Sequence, residues 1–556
     1  MILLIAYWFL LLPLFLGWGV LGHRSVVKYF NQHESSESLF VFILIGVVIV
    51  GFIANVCSLF FSLGNSPYLL LVLYALALGA IIKEREIVVA AIKQVRLFTV
   101  TGGVFFAILI IVVCKSAAPS EILDEKGYYL PFIKWVETYG ITPGLANLQG
   151  RFGFNSSWHI LSALLSLRWS GTLFYDLNGF ITLVILGYYL LGVSKTVSPI
   201  RYICGLFVAS FVFRNFLTSS AADLPNIYLG SLVILWMVGK YENKTLGEID
   251  YTFIVSFFIS FYLVTIKPSS IYLLLIYLPT ISIVLLNKQF DRMVWLVCIG
   301  AMFIIPWCVR FYITTGYLVF PIAGIDIFNP DWKVPLESVI YERNAVKCFP
   351  IFDSLSIEEV LKMSFSEWFP QWFKKSPIEQ KAFLITALVI SLYHIVTLKK
   401  HLRTLNDRLF IAIQGMLLLN IVIWITQYPD FRFAWGYILV YVGIGIYFLL
   451  QEIVVLRKYT QQLILFFVVI MTSMNLVRTC KDVSGNYKNI VFQQAAFPEG
   501  EIQIQNINHV SYYKSEVVWD LPLPSILSWQ NPAIELRTKS TLKNGFRPVN
   551  ANKIDE

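Results

Sequence analysis

Two adjacent acids, Asp124 and Glu125, stand in SEILDEKGYYLPFIKWVETYG (residues 120–140), shortly beyond a long apolar run. Further charged side chains sit at the edges of other apolar runs. Arg214 and Asp223 bracket RNFLTSSAAD. Lys267 stands in TIKPSS, Arg310 in PWCVRFYITTGYLVFP, and Asp430 and Arg432 in QYPDFRFAWGY. Arg151 opens RFGFNSSWHILSALL, which also holds His159. A cation near the centre of a membrane helix costs about 2.5–3.5 kcal/mol on insertion scales, so it calls for a partner or an anionic ligand. Carboxylates beside such cations fit one chemistry well. The carboxylate takes a proton from an acceptor hydroxyl while the cations hold a leaving phosphate. Phosphate departs as a stabilised anion, so no general acid is required.

Each residue also has a structural reading. Asp124 is either the N-cap of the helix that follows or a carboxylate at the mouth of a cavity, with Glu125 as its neighbour. Arg214, Asp223, Lys267, Arg310, Asp430 and Arg432 are each a snorkelling anchor or an internal ion pair. Taken together, they describe a polar, partly cationic cavity. His159 is a structural histidine or a group assisting an acceptor or phosphate. Tyr128, Phe132, Trp135 and Tyr139 recur at helical spacing behind Pro131, which suits a first helical turn. They read as an aromatic helix at the lipid surface.

The elements that position these residues are membrane helices. Of 556 residues, 57% are hydrophobic and 14% charged. Repeated runs of about 17–25 apolar residues make this an all-α polytopic membrane protein with about 14 transmembrane helices. The spans fall near 2–22, 38–62, 67–82, 97–114, 176–194, 201–217, 221–239, 250–266, 269–287, 293–312, 381–398, 409–427, 432–450 and 461–478. The first reads as a retained helix, not a signal peptide. Residues 155–169 are too short to cross and read as re-entrant or interfacial. With that parity, Lys and Arg gather in alternate loops such as 83–96 and 399–408, the positive-inside pattern. The net charge of +9 therefore reflects topology and does not point to nucleic acid.

The chain divides into N-terminal helices (1–96), a core (97–450) with large outer loops at 115–175 and 313–380, a last helix (451–478) and an extracytoplasmic tail (479–556). In the second loop, Ser356 and Glu359 have capping-box spacing. Leu361, Phe365, Trp368, Phe369 and Trp372 then form the apolar face of a helix lying on the membrane. The tail, with stretches such as EIQIQNINHV, reads as a small cap of mixed structure. The seven cysteines show no disulfide or zinc spacing.

The pattern resembles the GT-C superfamily of membrane glycosyltransferases, which includes protein O-mannosyltransferases and aminoarabinose transferases. ILDEKGYYLP resembles that family's acidic pair in a large first outer loop. RFGFNSSWHILSALL resembles the stretch opening its next helix, and YPDFRFAWGY a late loop with an arginine. The resemblance covers roughly residues 97–450. It implies a GT-C-like fold, a polyprenyl-phosphate-linked sugar donor, a hydroxyl acceptor on a glycan, lipid or protein, and an inverting transfer outside the cytoplasm. It further implies Asp124 as base beside Glu125, with Arg214, Lys267, Arg310 and Arg432 on the donor phosphate. Asp223, His159, Arg151 and Asp430 would then line the acceptor side or cavity. Most members require no cofactor or metal, although some oligosaccharyltransferases need a divalent ion. The chain departs from the family in having several spans before the acidic loop. It also has Asn155-Ser156-Ser157-Trp158-His159 where Pro-Pro or His-Pro is usual.

Two other readings fit a many-helix chain with outer charges. One is an O-antigen-type polysaccharide polymerase or ligase. The other is a transporter or flippase of lipid-linked glycans, a class that often shows repeats and midplane charges. Membrane lipids are the surroundings in every case. The composition points to a bacterial inner membrane with the site facing the periplasm or cell exterior.

Overall fold

The computed structural model describes residues 1–29, 37–118, 120, 122–171, 173–192, 204–205, 208–209, 216–352, 354–397, 404–452, 500–507, 510–538 and 541–549, with scattered positions between 459 and 491. The chain is mostly helical. The first part holds α1 (Ile2–Tyr29), α2 (Leu39–Cys57), α3 (Tyr68–Lys83), α4 (Arg85–Lys93) and α5 (Val100–Ser116). The first large loop adds α6 (Leu130–Tyr139), α7 (Leu145–Leu148) and α8 (Ser157–Leu165), before α9 (Leu177–Leu190). Next come α10 (Asp223–Glu242), α11 (Tyr251–Ile266), a 3-10 stretch Pro268–Tyr277 running into α12 (Leu278–Leu286), and α13 (Phe290–Thr315). The second large loop carries α14 (Leu336–Cys348), α15 (Ile357–Lys362) and α16 (Phe365–Lys375). It is followed by α17 (Ile378–Thr397), α18 (Leu405–Gln427) and α19 (Trp435–Glu452).

Among the described residues, 6 helical segments are long and apolar enough to cross a bilayer: Ile2–Tyr29, Leu39–Cys57, Pro268–Leu286, Phe290–Thr315, Ile378–Thr397 and Leu405–Gln427. This is therefore a membrane protein. Tyr68–Lys83, Val100–Ser116, Leu177–Leu190, Tyr251–Ile266 and Trp435–Leu450 are shorter apolar helices. They coincide with expected spans without reaching that length. The expected spans near 201–217 and 461–478 lie largely outside the described residues.

Local chemistry sets the helix starts. Asp176 accepts from Gly179 N at 2.9 Å to open α9, and Asp250 accepts from Phe253 N at 2.9 Å to open α11. Both are N-caps that satisfy otherwise orphaned donors. α1 and α2 cross with glycines at the contact. A Cβ on Gly19 or Gly46 would collide with the backbone of Phe42 or Phe15, so the two helices approach as closely as small residues permit.

Residues 155–169 form no span. α8 has 9 residues, all buried in the protein, too few to cross a bilayer. The aromatic run before it is not a lipid-facing surface. Tyr128, Phe132 and Trp135 are 7%, 1% and 1% exposed. α8 covers them from one side, where the His159 ring contacts those of Tyr128, Tyr129 and Phe132. The tail covers them from the other, with Phe546 edge-on to Trp135 at 5.7 Å. Apolar area is better buried against protein on both sides than left half-solvated at an interface.

The second loop also departs from the expected single membrane-lying helix. After α14, the stretch read as one helix is two, α15 and α16, each opened by its own capping box: Ser356 with Glu359, then Ser364 with Glu367. Trp368 and Trp372 turn into the protein, whereas Leu361 and Phe365 stay exposed. Trp372 stacks on Phe431 (5.8 Å, 10°) and meets Trp424 edge-on at 6.1 Å. α16 thus braces the loop after α18 against its neighbours. Trp372→Ala removes that brace. Hydrogen–deuterium exchange is expected to quicken over residues 428–433 with little change over 510–527; unchanged exchange over 428–433 contradicts the bracing role.

The tail is the exception to an all-α chain. β1 (Gln503–Ile507), β2 (Val510–Ser515) and β3 (Ser525–Leu527) form a sheet in that order, β1–β2 antiparallel and β2–β3 parallel. β4 (Ile534–Leu536) and β5 (Phe546–Pro548) pair antiparallel. This cap is pinned to the first large loop. Val518 N donates to Lys126 O at 3.3 Å, Phe546 N donates to Pro143 O at 3.0 Å, and Asp520 pairs with Lys134 and Arg168, each at 2.8 Å.

Candidate functional site

Asp124 and Glu125 occupy the start of a π-helical turn, Glu125–Tyr129, which runs into α6. Such turns displace side chains from the regular α-helical path and recur at functional sites. Here the two carboxylates diverge. Asp124 does not cap the helix, because its side chain accepts no bond from the first turn. It instead accepts from Arg151 Nη1 at 2.8 Å and Arg432 Nη1 at 3.3 Å. Its side chain is 25% exposed, against 31% for Arg151 and 30% for Arg432. The group sits at a rim, neither sealed nor in open solvent.

Glu125 turns inward and is 2% exposed. It accepts from Ser220 N at 3.1 and 3.0 Å and from Ser220 Oγ at 2.8 Å, tying the first large loop to the turn before α10. Burial pushes its carboxyl up to about 8, against the opposing pull of the Ser220 donors. The native state therefore holds a proton that the unfolded chain releases near an ordinary glutamate pKa of about 4.3. The associated stability is full below that pKa and is lost as the pH rises toward about 8. Wild-type thermal stability should decline across that window, and Glu125→Gln should flatten the decline. Superimposable pH profiles would contradict a protonated Glu125.

A second layer of charge lies beside Asp124. Arg432 Nε is 2.8 Å from Asp430 Oδ2, and the Asp430 carboxylate also accepts from Arg432 N at 3.0 Å. Burial opposes the Arg432 charge, but Asp430, Asp223 and Asp124 outweigh it and keep the guanidinium firmly protonated. Lys267 follows the last turn of α11 and pairs with Asp223, the first residue of α10. Its ammonium also lies 3.7 Å from the centre of the Phe433 ring, a cation–π contact. Burial pulls the Lys267 ammonium down, with Asp223 working against that shift.

The structure thus brings together Asp124, Arg151, Asp223, Lys267, Asp430 and Arg432 from five separate places in the chain. His159 adjoins this group from the inside. It is 1% exposed, and burial drives its pKa down to about 3, so the ring is neutral at physiological pH. Arg310 does not join them. It is 1% exposed and donates to Asn155 Oδ1 at 2.8 Å, Ser58 Oγ at 2.6 Å and Gly140 O at 3.5 Å. Those neutral acceptors lie at the entry to α8, the end of α2 and the end of α6. Arg310 ties the first large loop to the bundle. Arg214 lies outside the described residues.

Three contributors were not singled out from sequence. Ser220 is the partner of Glu125. Phe433 supplies the face beneath Lys267; its adjacency to Arg432 in DFRF was the only available signal. Glu342, on α14, is 9% exposed, and a Cβ on Gly150 would collide with its carboxylate. That places an acid behind Arg151.

With this geometry in hand, the comparisons have a definite outcome. A family described as a domain of unknown function, DUF8201, matches residues 1–439. The chain belongs to the DUF8201 family. The DUF8201 match takes in every candidate residue from Asp124 to Arg432, ends within α19, and leaves the β-containing tail outside. No curated protein and no solved structure matches the chain.

Proposed function

We propose that this DUF8201 protein is a membrane glycosyltransferase of GT-C type that moves a sugar from a polyprenyl-phosphate donor to a hydroxyl acceptor outside the cytoplasm. The observation carrying this reading is the Asp124 carboxylate held between Arg151 and Arg432 at a partly open rim. In the resting state each cation of the group already has an acid partner, so the group is close to electroneutral. A donor phosphate would exchange with Asp124 as the partner of Arg151 and Arg432, because both form planar forks suited to phosphate oxygens. That exchange frees the carboxylate. The acceptor oxygen attacks the anomeric carbon, the bond from that carbon to the phosphate oxygen breaks, and its electron pair leaves with the polyprenyl phosphate. The acceptor proton passes to Asp124. The configuration inverts in a single displacement.

Glu125 and His159 have supporting roles in this scheme. Glu125 holds the turn through Ser220, and His159 fills space as a neutral ring among the aromatics. Lys267 with Asp223 sets the potential behind the phosphate. Membership of the GT-C superfamily, the crossings beyond the 6 long spans, and a bacterial inner-membrane location with the site facing the periplasm or cell exterior belong to the same proposal. The test is transfer of labelled sugar from a polyprenyl-phosphate donor by the purified full chain, with sealed-vesicle transport measured in parallel. Acceptor-dependent transfer supports the proposal; movement of labelled lipid across the vesicle with no acceptor-dependent product points to the transporter reading.

A further inference from the structure

A cavity of about 180 Å³ lies between α17, α18 and α19 at the end of the bundle away from the charge group. Tyr241 lines it, and lies about 27 Å along α10 from Asp223 at 1.5 Å per residue. On α18 its lining residues include Phe410, Ile411, Gln414, Gly415 and Leu418, whose three- and four-residue spacing makes one stripe. A Cβ on Gly415 would meet nothing within 4 Å, so the space beside the stripe is open. α17, which forms one wall, is 17% buried along its apolar window, and Ile395 in that wall is 67% exposed. If α17 crosses the bilayer, this face of the slot opens toward lipid, while Asp407 and Tyr241 line its polar end.

Gln414 in this slot is 6% exposed, and among the described residues neither its amide oxygen nor its amide nitrogen has a hydrogen-bond partner. The other hydroxyls at this level are spoken for, with Ser391 and Tyr441 2.8 Å apart. An unpaired buried amide costs about 1–3 kcal/mol by mutational measures. The volume exceeds the ~150 Å³ apolar cavity that admits benzene and falls short of the ~300 Å³ of a drug-sized site, so it suits a chain segment with a small polar end. A hydroxyl both donates and accepts, and so satisfies both amide atoms at once, whereas an ester offers only an acceptor.

We propose that the slot binds a hydroxyl-bearing membrane lipid, its hydroxyl on Gln414 and its chain along Phe410, Ile411 and Leu418. Long-chain prenols and diacylglycerols share this chemistry.

The test uses the full chain in nanodiscs with a diazirine-tagged long-chain alcohol, and the methyl ether of the same probe as control. The alcohol should form adducts between Phe410 and Leu418, with the ether labelling several-fold less. Gln414→Leu should cut labelling about three- to tenfold, in line with hydrogen bonds measured inside membranes. Gly415→Leu should block the slot. Competition by unlabelled prenol or by diacylglycerol tells the two sources apart. Equal labelling by alcohol and ether on the wild-type chain, adducts confined to the exposed face of α17, or failure of both lipids to compete would each overturn the assignment.

Discussion

Asp124→Asn is expected to lower sugar transfer by about 10²–10⁴-fold, the usual range for removing a positioned general base, while leaving the folded chain and its lipid-phosphate affinity intact. Asparagine keeps the shape of the side chain and can still accept from Arg151 and Arg432, so the rim stays in place. It cannot take the acceptor proton. Single-turnover transfer, with donor binding measured separately, divides the two effects. A variant that keeps wild-type rates would remove Asp124 from the chemistry and leave it as an ion-pair anchor. A variant that loses donor binding and rate together would make it a structural residue of the rim.

The second large effect is on stability. Lys267 and Asp223 form a pair with side chains 18% and 3% exposed. Lys267→Met leaves Asp223 buried without its cation. Losing one partner of a buried pair costs about 3–5 kcal/mol, because the remaining charge has no compensation. Replacing both, as Lys267→Met with Asp223→Leu, removes the uncompensated charge. The double variant is expected to recover most of the loss. Denaturation in mild detergent measures this cycle directly. A single variant within about 0.5 kcal/mol of wild type would place it in the range of ordinary surface substitutions and contradict a buried pair.

Much of the charge group could be read from sequence because most of its members sit at or shortly beyond the end of an apolar run. Membrane insertion tolerates charge at such places and rarely within the run, so position alone marked Asp124, Asp223, Lys267, Asp430 and Arg432. Arg310 met the same criterion and has a different use. Nothing in its local sequence shows that Asn155, Ser58 and Gly140, from three distant segments, accept its donors. The aromatic helix misled for a related reason. Tyr128, Phe132 and Trp135 have a spacing that suits a lipid surface and a protein core equally well. The choice between them depends on α8 and on Phe546, which arrives from the far end of the chain. Helix caps were legible where box and apolar run are contiguous, as at Ser356–Glu359. The second box at Ser364–Glu367 splits what had read as one helix, because Met363 leaves the helical conformation between them.

The neutral state of the charge group also bears on how the site would work. Each arginine at the rim starts with a carboxylate, so donor binding is an exchange of anions and not the filling of a bare cationic hole. The donor phosphodiester carries a single charge, as the carboxylate does, but offers two free oxygens to the guanidinium forks, and the polyprenyl monophosphate that leaves can carry a second charge. In this scheme ligand binding prepares the base.

The most direct measurement is the binding of polyprenyl monophosphate to the purified full chain, because that product is common to every sugar such an enzyme would transfer. The account predicts saturable binding that Arg151→Ala and Arg432→Ala each weaken about tenfold or more, a loss of at least ~1.4 kcal/mol, while Asp124→Asn, which removes the competing carboxylate, binds as tightly or more so. Affinity unchanged by loss of either arginine, or no saturable binding to the wild-type chain, would contradict it.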